Sequence, residues 1–103
     1  MIEKEIKKLS QKIIVAAKNN KVVIATAESC TGGLIGSSLT SIPGSSIAYD
    51  RGYITYSNKS KSDLLNIDIE LINKYGAVSK EIAILMAEGA LSLSNANLTV
   101  SVT

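Results

Sequence analysis

A short apolar run followed by a glycine pair constrains the fold of this chain more than any other feature. Residues 22–25 read Val-Val-Ile-Ala, and residues 26–33 continue as Thr-Ala-Glu-Ser-Cys-Thr-Gly-Gly. Such a run is typical of a buried strand, and the glycines with the helical pattern beyond them indicate a strand-to-helix turn. This turn places Ser29 and Cys30 beside a helix N-terminus, where unpaired backbone N–H groups favour negative charge. The position therefore suits an oxyanion, a phosphate or an activated nucleophile.

The composition limits the chemistry that this position can support. The 103 residues include one cysteine and no histidine, which excludes an internal disulfide and strongly disfavours a zinc or haem site. A chain of this length predicts a single domain. No run is long enough to span a membrane, and the N-terminus lacks the apolar stretch of a signal peptide. A cytoplasmic location is therefore the default expectation.

Positive charge is concentrated in the N-terminal segment. Residues 1–21 contain six lysines and two glutamates, whereas the whole chain has a net charge of +2. A basic helix can contact nucleic acid or a membrane surface, but it more often presents a solvated face. No aromatic residue is interleaved with these lysines, which argues against a platform for single-stranded nucleic acid. We therefore expect neither nucleic acid nor a membrane as a partner.

The rest of the chain predicts alternating helices and strands. A first helix carries an apolar stripe that steps by four and three residues: Ile2, Ile6, Leu9, Ile13 and Ala16. Further strands are predicted over residues 47–56 and 98–103, and further helices begin near these residues: Thr31, Ser57, Asp68 and Ser79. Strands separated by helices imply parallel pairing. We predict an α/β fold, an α/β/α sandwich with about three strands in a mainly parallel sheet and four to five helices.

The absence of histidine restricts the choice of a catalytic base. A serine or cysteine nucleophile would need a lysine, a carboxylate or a tyrosine to take its proton. Residues 53–61 form a second strand-to-helix junction, and ligand sites collect at the carboxyl ends of parallel strands. We therefore expect Ser29 and Tyr56, each at such an end, to face one pocket.

Helical geometry separates the two lysines of this second junction. Lys61 precedes Leu64 and Leu65 by three and four residues, so it shares their inward face. Lys59 instead aligns with Asp63, with which it can form an ion pair on the exposed face. Burial lowers the pKa of a lysine because it disfavours the charged ammonium. Lys61 is therefore the better candidate for a general base.

Ordinary structural roles remain open for each of these residues on pattern alone. Ser29 could cap the second helix, and the glycine pair could be only a tight turn. Lys61 could lie on the surface, and Tyr56 could be a core residue. Cys30 could be a small buried thiol, the usual state of a free cysteine.

Six sequence blocks, in this order and spacing, resemble the CinA C-terminal domain family, and the resemblance covers essentially the whole chain. They are Thr-Ala-Glu-Ser-Cys-Thr-Gly-Gly (26–33), Pro-Gly-Ser-Ser (43–46), Asp-Arg-Gly-Tyr-Ile-Thr-Tyr-Ser-Asn (50–58), Tyr-Gly-Ala-Val-Ser (75–79), Met-Ala-Glu-Gly-Ala (86–90) and Val-Ser-Val-Thr (100–103). Together these blocks are far more specific than any one of them.

The resemblance implies a nicotinamide-nucleotide amidase, which hydrolyses the carboxamide of nicotinamide mononucleotide to the acid and releases ammonia for NAD recycling. It implies no metal and no cofactor. It also implies that Ser29, Tyr56 and Lys61 are catalytic, in agreement with the choice of Lys61 over Lys59. Substrate contacts, including backbone donors to the oxyanion, are expected from these residues: Glu28, Cys30, Thr31, Gly32, Gly33 and Arg51.

The chain departs from the family pattern at its C-terminal end. The resemblance implies that the family domain continues past Thr103 to roughly 150–160 residues, so we expect one domain, residues 1–103, without about the last third. The last strand would then leave a bare sheet edge, which a homo-oligomer or another polypeptide would cover. Two alternatives to an active amidase stay open: an inactive assembly module, and a protein that binds a phosphorylated ligand without turnover.

Overall fold

A three-stranded parallel sheet organises the fold in the computed structural model, which describes residues 2–103. The central strand β1 (Ile24–Glu28) pairs in parallel with β2 (Tyr49–Ile54) on one side and β3 (Leu98–Val102) on the other. All five residues of β1 are buried, and its last residue lies level with the last residues of both neighbours. The predicted α/β class with a parallel sheet is confirmed.

Helices cover both faces of the sheet in the described part of the chain. Their bounds are α1 (Ile2–Asn19), α2 (Leu34–Thr40), α3 (Asn58–Leu65), α4 (Ile69–Tyr75) and α5 (Lys80–Ser92), with a short 3-10 turn at Ser45–Ile47. The helices α1 and α2 pack on one face, and α3, α4 and α5 pack on the other, so the predicted α/β/α layering is confirmed. None of these helices combines the length and the apolar character needed to cross a membrane.

Side chains that alternate along β1 belong to different layers. Ile24 packs in the core beneath α1 and α2, whereas Ala27 packs in the core beneath α3, α4 and α5. The same alternation directs the next two side chains apart. Glu28 faces the layer of α2, and Ser29 faces the layer of α3.

The apolar stripe predicted for α1 is wrong by about one position. Most of its residues are exposed: Ile2, Leu9, Ile13 and Ala16. The buried line runs instead through Ser10, Ile14 and Ala17. The hydroxyl of Ser10 donates to the carbonyl of Ile6 at 2.7 Å, so a polar residue is buried without an unsatisfied group. A pattern of apolar residues cannot identify a line that contains such a serine.

Side-chain caps confirm three of the predicted helix starts. The capping side chains, each accepting a backbone N–H from the first turn, are Ser57 for α3, Asp68 for α4 and Ser79 for α5. The helix α2 begins later than the residue predicted, Thr31, and starts at Leu34. Gly32 and Gly33 delay it because their φ angles of 58° and 101° lie in the left-handed region, outside the helix.

The strand β3 is attached to α5 on one face and is open on the other. On the attached face, alternate hydroxyls donate to carbonyls of α5 and of the residues just before it: Thr99 to Ala87, Ser101 to Ala83, and Thr103 to Ala77. On the other face, Leu98 and Val100 are 45% and 43% exposed. No strand within residues 2–103 pairs with the outer edge of β3.

Candidate active site

A buried polar contact joins the turn after β1 to the first turns of α3. The Lys61 Nζ lies 3.0 Å from the Ser29 Oγ. The two residues are 1% and 7% exposed, respectively. Because β1 and β2 are adjacent parallel strands, the junctions that follow them meet at the same edge of the sheet. The structure thus brings together the hydroxyl and the amine that the sequence analysis paired.

The amine of Lys61 has three oxygen neighbours. It donates hydrogen bonds to the carbonyls of Thr55, at 2.8 Å, and Tyr56, at 3.2 Å. A carbonyl oxygen only accepts, so two N–H bonds of the amine are committed to these partners. The remaining tetrahedral position faces the hydroxyl of Ser29. In a neutral amine this position holds a lone pair, which can accept the hydroxyl hydrogen.

The surroundings of Lys61 favour that neutral form. Among residues 2–103, no carboxylate forms a salt bridge with this amine. Burial lowers the pKa of Lys61 below the ordinary value of 10.5, and the weaker influence of the Cys30 thiol acts in the opposite direction. A general base must be unprotonated to accept a proton, so the lowered pKa suits Lys61 to that role.

The backbone of Glu28 and Ser29 is hydrogen-bonded to both neighbouring chain segments. The N–H of Ser29 donates to the carbonyl of Val102 at 2.9 Å, and the N–H of Thr55 donates to the carbonyl of Glu28 at 2.8 Å. The end of β1 is therefore fixed between the ends of β2 and β3. The orientation of the Ser29 side chain depends on all three strands.

Three backbone donors in the turn after Ser29 have no internal acceptor. The N–H of Gly32 bonds to the carbonyl of Ser29 at 3.1 Å, but the N–H groups of Cys30, Thr31 and Gly33 have no acceptor in the described part of the chain. Gly33 also favours glycine because its φ of 101° lies in the left-handed region, where a side chain is strained. The turn thus offers unpaired donors next to the hydroxyl of Ser29.

Glu28 is directed into the protein, away from this hydroxyl. It is 1% exposed, and its carboxylate accepts hydrogen bonds from the Thr31 hydroxyl (2.8 Å), the Ile35 N–H (2.8 Å) and the Gly36 N–H (2.9 Å). Both carboxylate oxygens are therefore bonded within the fold. Glu28 therefore stabilises the turn through Thr31 and the first turn of α2 through Ile35 and Gly36.

The other candidate residues are not gathered at the Ser29–Lys61 contact. The Tyr56 side chain is exposed (77%) and only its carbonyl reaches Lys61. Arg51 bonds to Asp50 at 2.7 Å and to the carbonyl of Leu93 at 3.2 Å. Leu93 follows α5 and precedes β3, so Arg51 lies toward the opposite end of the sheet. Cys30 is exposed, which does not fit a buried structural thiol.

Thr55 was missed in the sequence analysis although it lies at the centre of this arrangement. Its carbonyl accepts the shortest hydrogen bond of Lys61, and its hydroxyl is fully buried without a partner in the described part of the chain. The carbonyl is present in every residue type, so its role leaves no signal in a sequence. The one sequence signal for the buried hydroxyl is its position at the end of a predicted strand.

Comparisons with known proteins agree with this arrangement of elements. The family model described as the CinA C-terminal domain matches residues 6–103. A CinA-like protein from Colwellia psychrerythraea is 44% identical over 101 residues, which are 98% of this chain and 23% of that protein. The nicotinamide-nucleotide amidohydrolase PncC of Enterobacter agglomerans is 44% identical over 102 residues, which are 99% of this chain and 62% of that protein.

A solved structure shows the same fold. The crystal structure of the competence/damage inducible protein CihA from Agrobacterium tumefaciens superimposes with a TM-score of 0.92 and 47% sequence identity, over 95% of this chain and 59% of that one. The chain thus spans less than two thirds of the length of each of these relatives. The match to the family model and to both curated relatives extends over nearly all of its residues, and the chain belongs to the CinA C-terminal domain family.

Proposed function

We propose that this chain is a serine amidohydrolase that converts nicotinamide mononucleotide to nicotinic acid mononucleotide and ammonia. The observation that carries the proposal is the 3.0 Å contact between the Ser29 Oγ and the buried Lys61 Nζ. The relative from Enterobacter agglomerans, named a nicotinamide-nucleotide amidohydrolase, supports the choice of substrate. In this proposal Ser29 is the nucleophile and Lys61 is the general base.

The first half of the reaction acylates Ser29. Neutral Lys61 accepts the hydroxyl proton while the Ser29 Oγ forms a bond to the carboxamide carbon, whose C=O electron pair moves to the oxygen. Collapse of this tetrahedral species breaks the C–N bond. The ammonium of Lys61 returns its proton to the departing nitrogen, which leaves as ammonia. The two committed carbonyl contacts of Lys61 hold the amine in place throughout.

The second half of the reaction regenerates the enzyme. Lys61, again neutral, accepts a proton from water as the water oxygen attacks the acyl carbon. The bond to the Ser29 Oγ then breaks, the protonated amine returns its proton to that oxygen, and the acid leaves. In both halves the unpaired N–H groups of Cys30, Thr31 and Gly33 are available to stabilise the negative oxygen. A donor of this kind is worth about 3–4 kcal/mol in characterised hydrolases.

Tyr56 contributes to this scheme through its backbone. Its carbonyl holds the amine of Lys61, whereas its side chain is exposed. The direct contact between Ser29 and Lys61 supports proton transfer without a tyrosine relay. Arg51 has no role in the proposed chemistry because its guanidinium is bonded toward the other end of the sheet.

The experiment that tests the proposal replaces the nucleophile. We expect Ser29→Ala to lower ammonia release from nicotinamide mononucleotide by roughly 10³-fold or more, since a covalent step cannot occur without the hydroxyl. Circular dichroism and thermal unfolding will check that the fold is retained. The matched control is Ser41→Ala, which removes an exposed hydroxyl bonded to the Ser38 carbonyl at the end of α2. An alanine variant that keeps most of the turnover disproves the assignment.

Calorimetry separates this proposal from simple ligand binding. An active amidase consumes nicotinamide mononucleotide and releases ammonia, whereas a binding protein gives a saturable heat signal and no ammonia. Tight binding without any ammonia release from the wild-type chain would favour the binding module that the turn at Ser29 also permits.

We further propose that the chain forms a homo-oligomer through the open side of β3. The face of β3 that carries the exposed Leu98 and Val100 favours an apolar partner. A second copy can cover the same face about a two-fold axis. Light scattering after size exclusion should then report a dimer for the wild type and a monomer for Val100→Lys. A wild-type monomer at all accessible concentrations contradicts this assembly.

A further inference from the structure

The side chain of Glu28 holds together the two ends of the turn that carries Ser29. Glu28 is the last residue of β1, and its carboxylate bonds to Thr31 within the turn and to the N–H groups of Ile35 and Gly36 in α2. The backbone carbonyl of Glu28 is meanwhile bonded to the N–H of Thr55. One residue thus connects the sheet, the turn and the helix.

Among residues 2–103, no other side chain bonds both to this turn and to the start of α2. Gly33 occupies the cap position of α2 and has no side chain to offer. At Gly36, a Cβ would lie 2.7 Å from the Tyr49 hydroxyl and in ordinary contact, at 3.5 Å, with the Glu28 Oε2. The contacts that join the start of α2 to Glu28 are therefore the two hydrogen bonds from the N–H groups of Ile35 and Gly36.

A need for stability alone does not explain a carboxylate at this position. Glu28 is 1% exposed, and no lysine or arginine within residues 2–103 forms a salt bridge with it. Burial of an unpaired charge is unfavourable unless hydrogen bonds compensate, and a neutral serine or asparagine serves well as an ordinary helix cap. The carboxylate of Glu28 extends from the end of β1 to α2 and accepts three hydrogen bonds at once. These three contacts define the path of the turn.

Resting on the proposed amidase function, we propose that Glu28 is a positioning residue for the Ser29 turn. Its carboxylate holds residues 29–33 so that the Ser29 hydroxyl meets Lys61 while the unpaired N–H groups remain directed to the oxyanion. Glu28 and Ser29 face opposite layers of the sheet, so Glu28 acts through the turn and does not touch the substrate.

The test compares Glu28→Gln with the wild-type chain. The amide retains one oxygen acceptor but presents an NH₂ group to a backbone N–H of α2, that of Ile35 or Gly36, which displaces the start of α2 and the turn joined to it without removing volume. Displacement of catalytic groups by about 1 Å can lower a rate about 100-fold. We expect kcat to fall roughly 10- to 100-fold while KM changes less than about threefold, because uniform substrate binding is retained.

A second readout measures the reactivity of Ser29 without the natural substrate. Phenylmethanesulfonyl fluoride forms an S–O bond to the Ser29 Oγ and expels fluoride, while Lys61 takes the hydroxyl proton. Mass spectrometry of the intact protein gives the labelling rate. We expect Glu28→Gln to be labelled at least about tenfold more slowly than the wild type, because the nucleophile and its base are misaligned.

The control distinguishes positioning from a general loss of stability. Asp68→Ala removes the cap of α4, which lies outside the site, and should lower the thermal midpoint without changing kcat or the labelling rate.

If Glu28→Gln does not fold, Thr31→Val takes its place, since it removes one of the three donors and leaves the carboxylate. We expect Thr31→Val to lower kcat and the labelling rate of Ser29 several-fold.

The outcomes separate this inference from the proposed function. A wild-type chain that neither releases ammonia nor is labelled at Ser29 contradicts the proposed function itself. A wild-type chain that is labelled, together with a Glu28→Gln or Thr31→Val variant labelled at the same rate and with unchanged kcat, overturns only the role of Glu28.

Discussion

The two faces of α3 place the same residue type in opposite environments. The side chain of Lys59 is 83% exposed and lies 2.8 Å from the carboxylate of Asp63, which raises the pKa of Lys59. Lys61, two positions further along, is 1% exposed and has no carboxylate partner among residues 2–103, and burial lowers its pKa. One lysine is a surface charge and the other is a candidate base.

The difference arises from helix geometry and from the neighbours of each face. Two residues rotate a helix by about 200°, so the side chains point in nearly opposite directions. On the inner face, the oxygen neighbours of the amine are the carbonyls of Thr55 and Tyr56 and the hydroxyl of Ser29, all uncharged. A lysine becomes a candidate base when its hydrogen bonds are satisfied without a compensating negative charge.

The largest expected difference between the faces is in turnover. We expect Lys61→Met to lower kcat for ammonia release roughly 10²- to 10⁴-fold, the range typical of a lost general base. Lys59→Met, the matched control on the same helix, should retain nearly all of the wild-type rate. Equal losses in the two variants would mean that the buried contact with Ser29 has no special role.

The second difference is in the dependence of activity on pH. The neutral fraction of Lys61 rises about tenfold per pH unit below its pKa, so kcat/KM should rise with that slope and level off at a pH below 10.5. The rate of labelling of Ser29 by phenylmethanesulfonyl fluoride should follow the same curve. Lys59→Met should leave the curve unmoved. A profile without any rise at pH values below 10.5 would exclude a titrating lysine base.

The third difference is in stability. Because the pKa of Lys61 is lowered on folding, the unfolded chain binds more protons than the folded chain between that lowered pKa and 10.5. At pH values below this range, burial of the charged lysine lowers the free energy of unfolding by its full amount. This loss of stability disappears as the pH rises through the range. Lys61→Met does not carry this cost, so we compare its free energy of unfolding with that of the wild type. Across the range, this difference should shift in favour of the wild type by about 1.4 kcal/mol for each unit by which the pKa of Lys61 is lowered. Urea unfolding across this range, with Lys59→Met as reference, will measure it.

The smallest effect is expected from the hydroxyl of Tyr56. Because Lys61 contacts Ser29 directly and uses only the carbonyl of Tyr56, Tyr56→Phe should lower kcat less than Lys61→Met does. The phenylalanine variant keeps the carbonyl and the ring, so any change reports the hydroxyl alone. Loss of activity equal to that of Lys61→Met would favour a relay through the tyrosine.

Local geometry made some of these features predictable from sequence. The inward position of Lys61 and the Lys59–Asp63 ion pair follow from helix periodicity, and both are observed. The meeting of the turn at Ser29 with the start of α3 follows from parallel pairing of consecutive strands. The predictions hold here because each depends on one element or on one pair of neighbouring strands.

Features that depend on packing between layers were not predictable. The face that α1 buries depends on where α2 and β1 lie, and the pattern could not show that Ser10 would be included. The hydrogen bond from the Arg51 guanidinium to the Leu93 carbonyl depends on where α5 ends. The capping role of Glu28 joins residues on either side of a turn, at a spacing that ordinary helix-capping patterns do not contain.

The hydrogen bond from the Ser29 amide to the Val102 carbonyl sets an order of events in folding. Ser29 directly follows β1 and Val102 is the last residue of β3, so this bond closes only after α3, α4 and α5 have been synthesised and β3 has docked. Contacts of such long sequence separation form slowly. In a nascent chain the amide of Ser29 therefore lacks this acceptor until residue 102 has emerged from the ribosome.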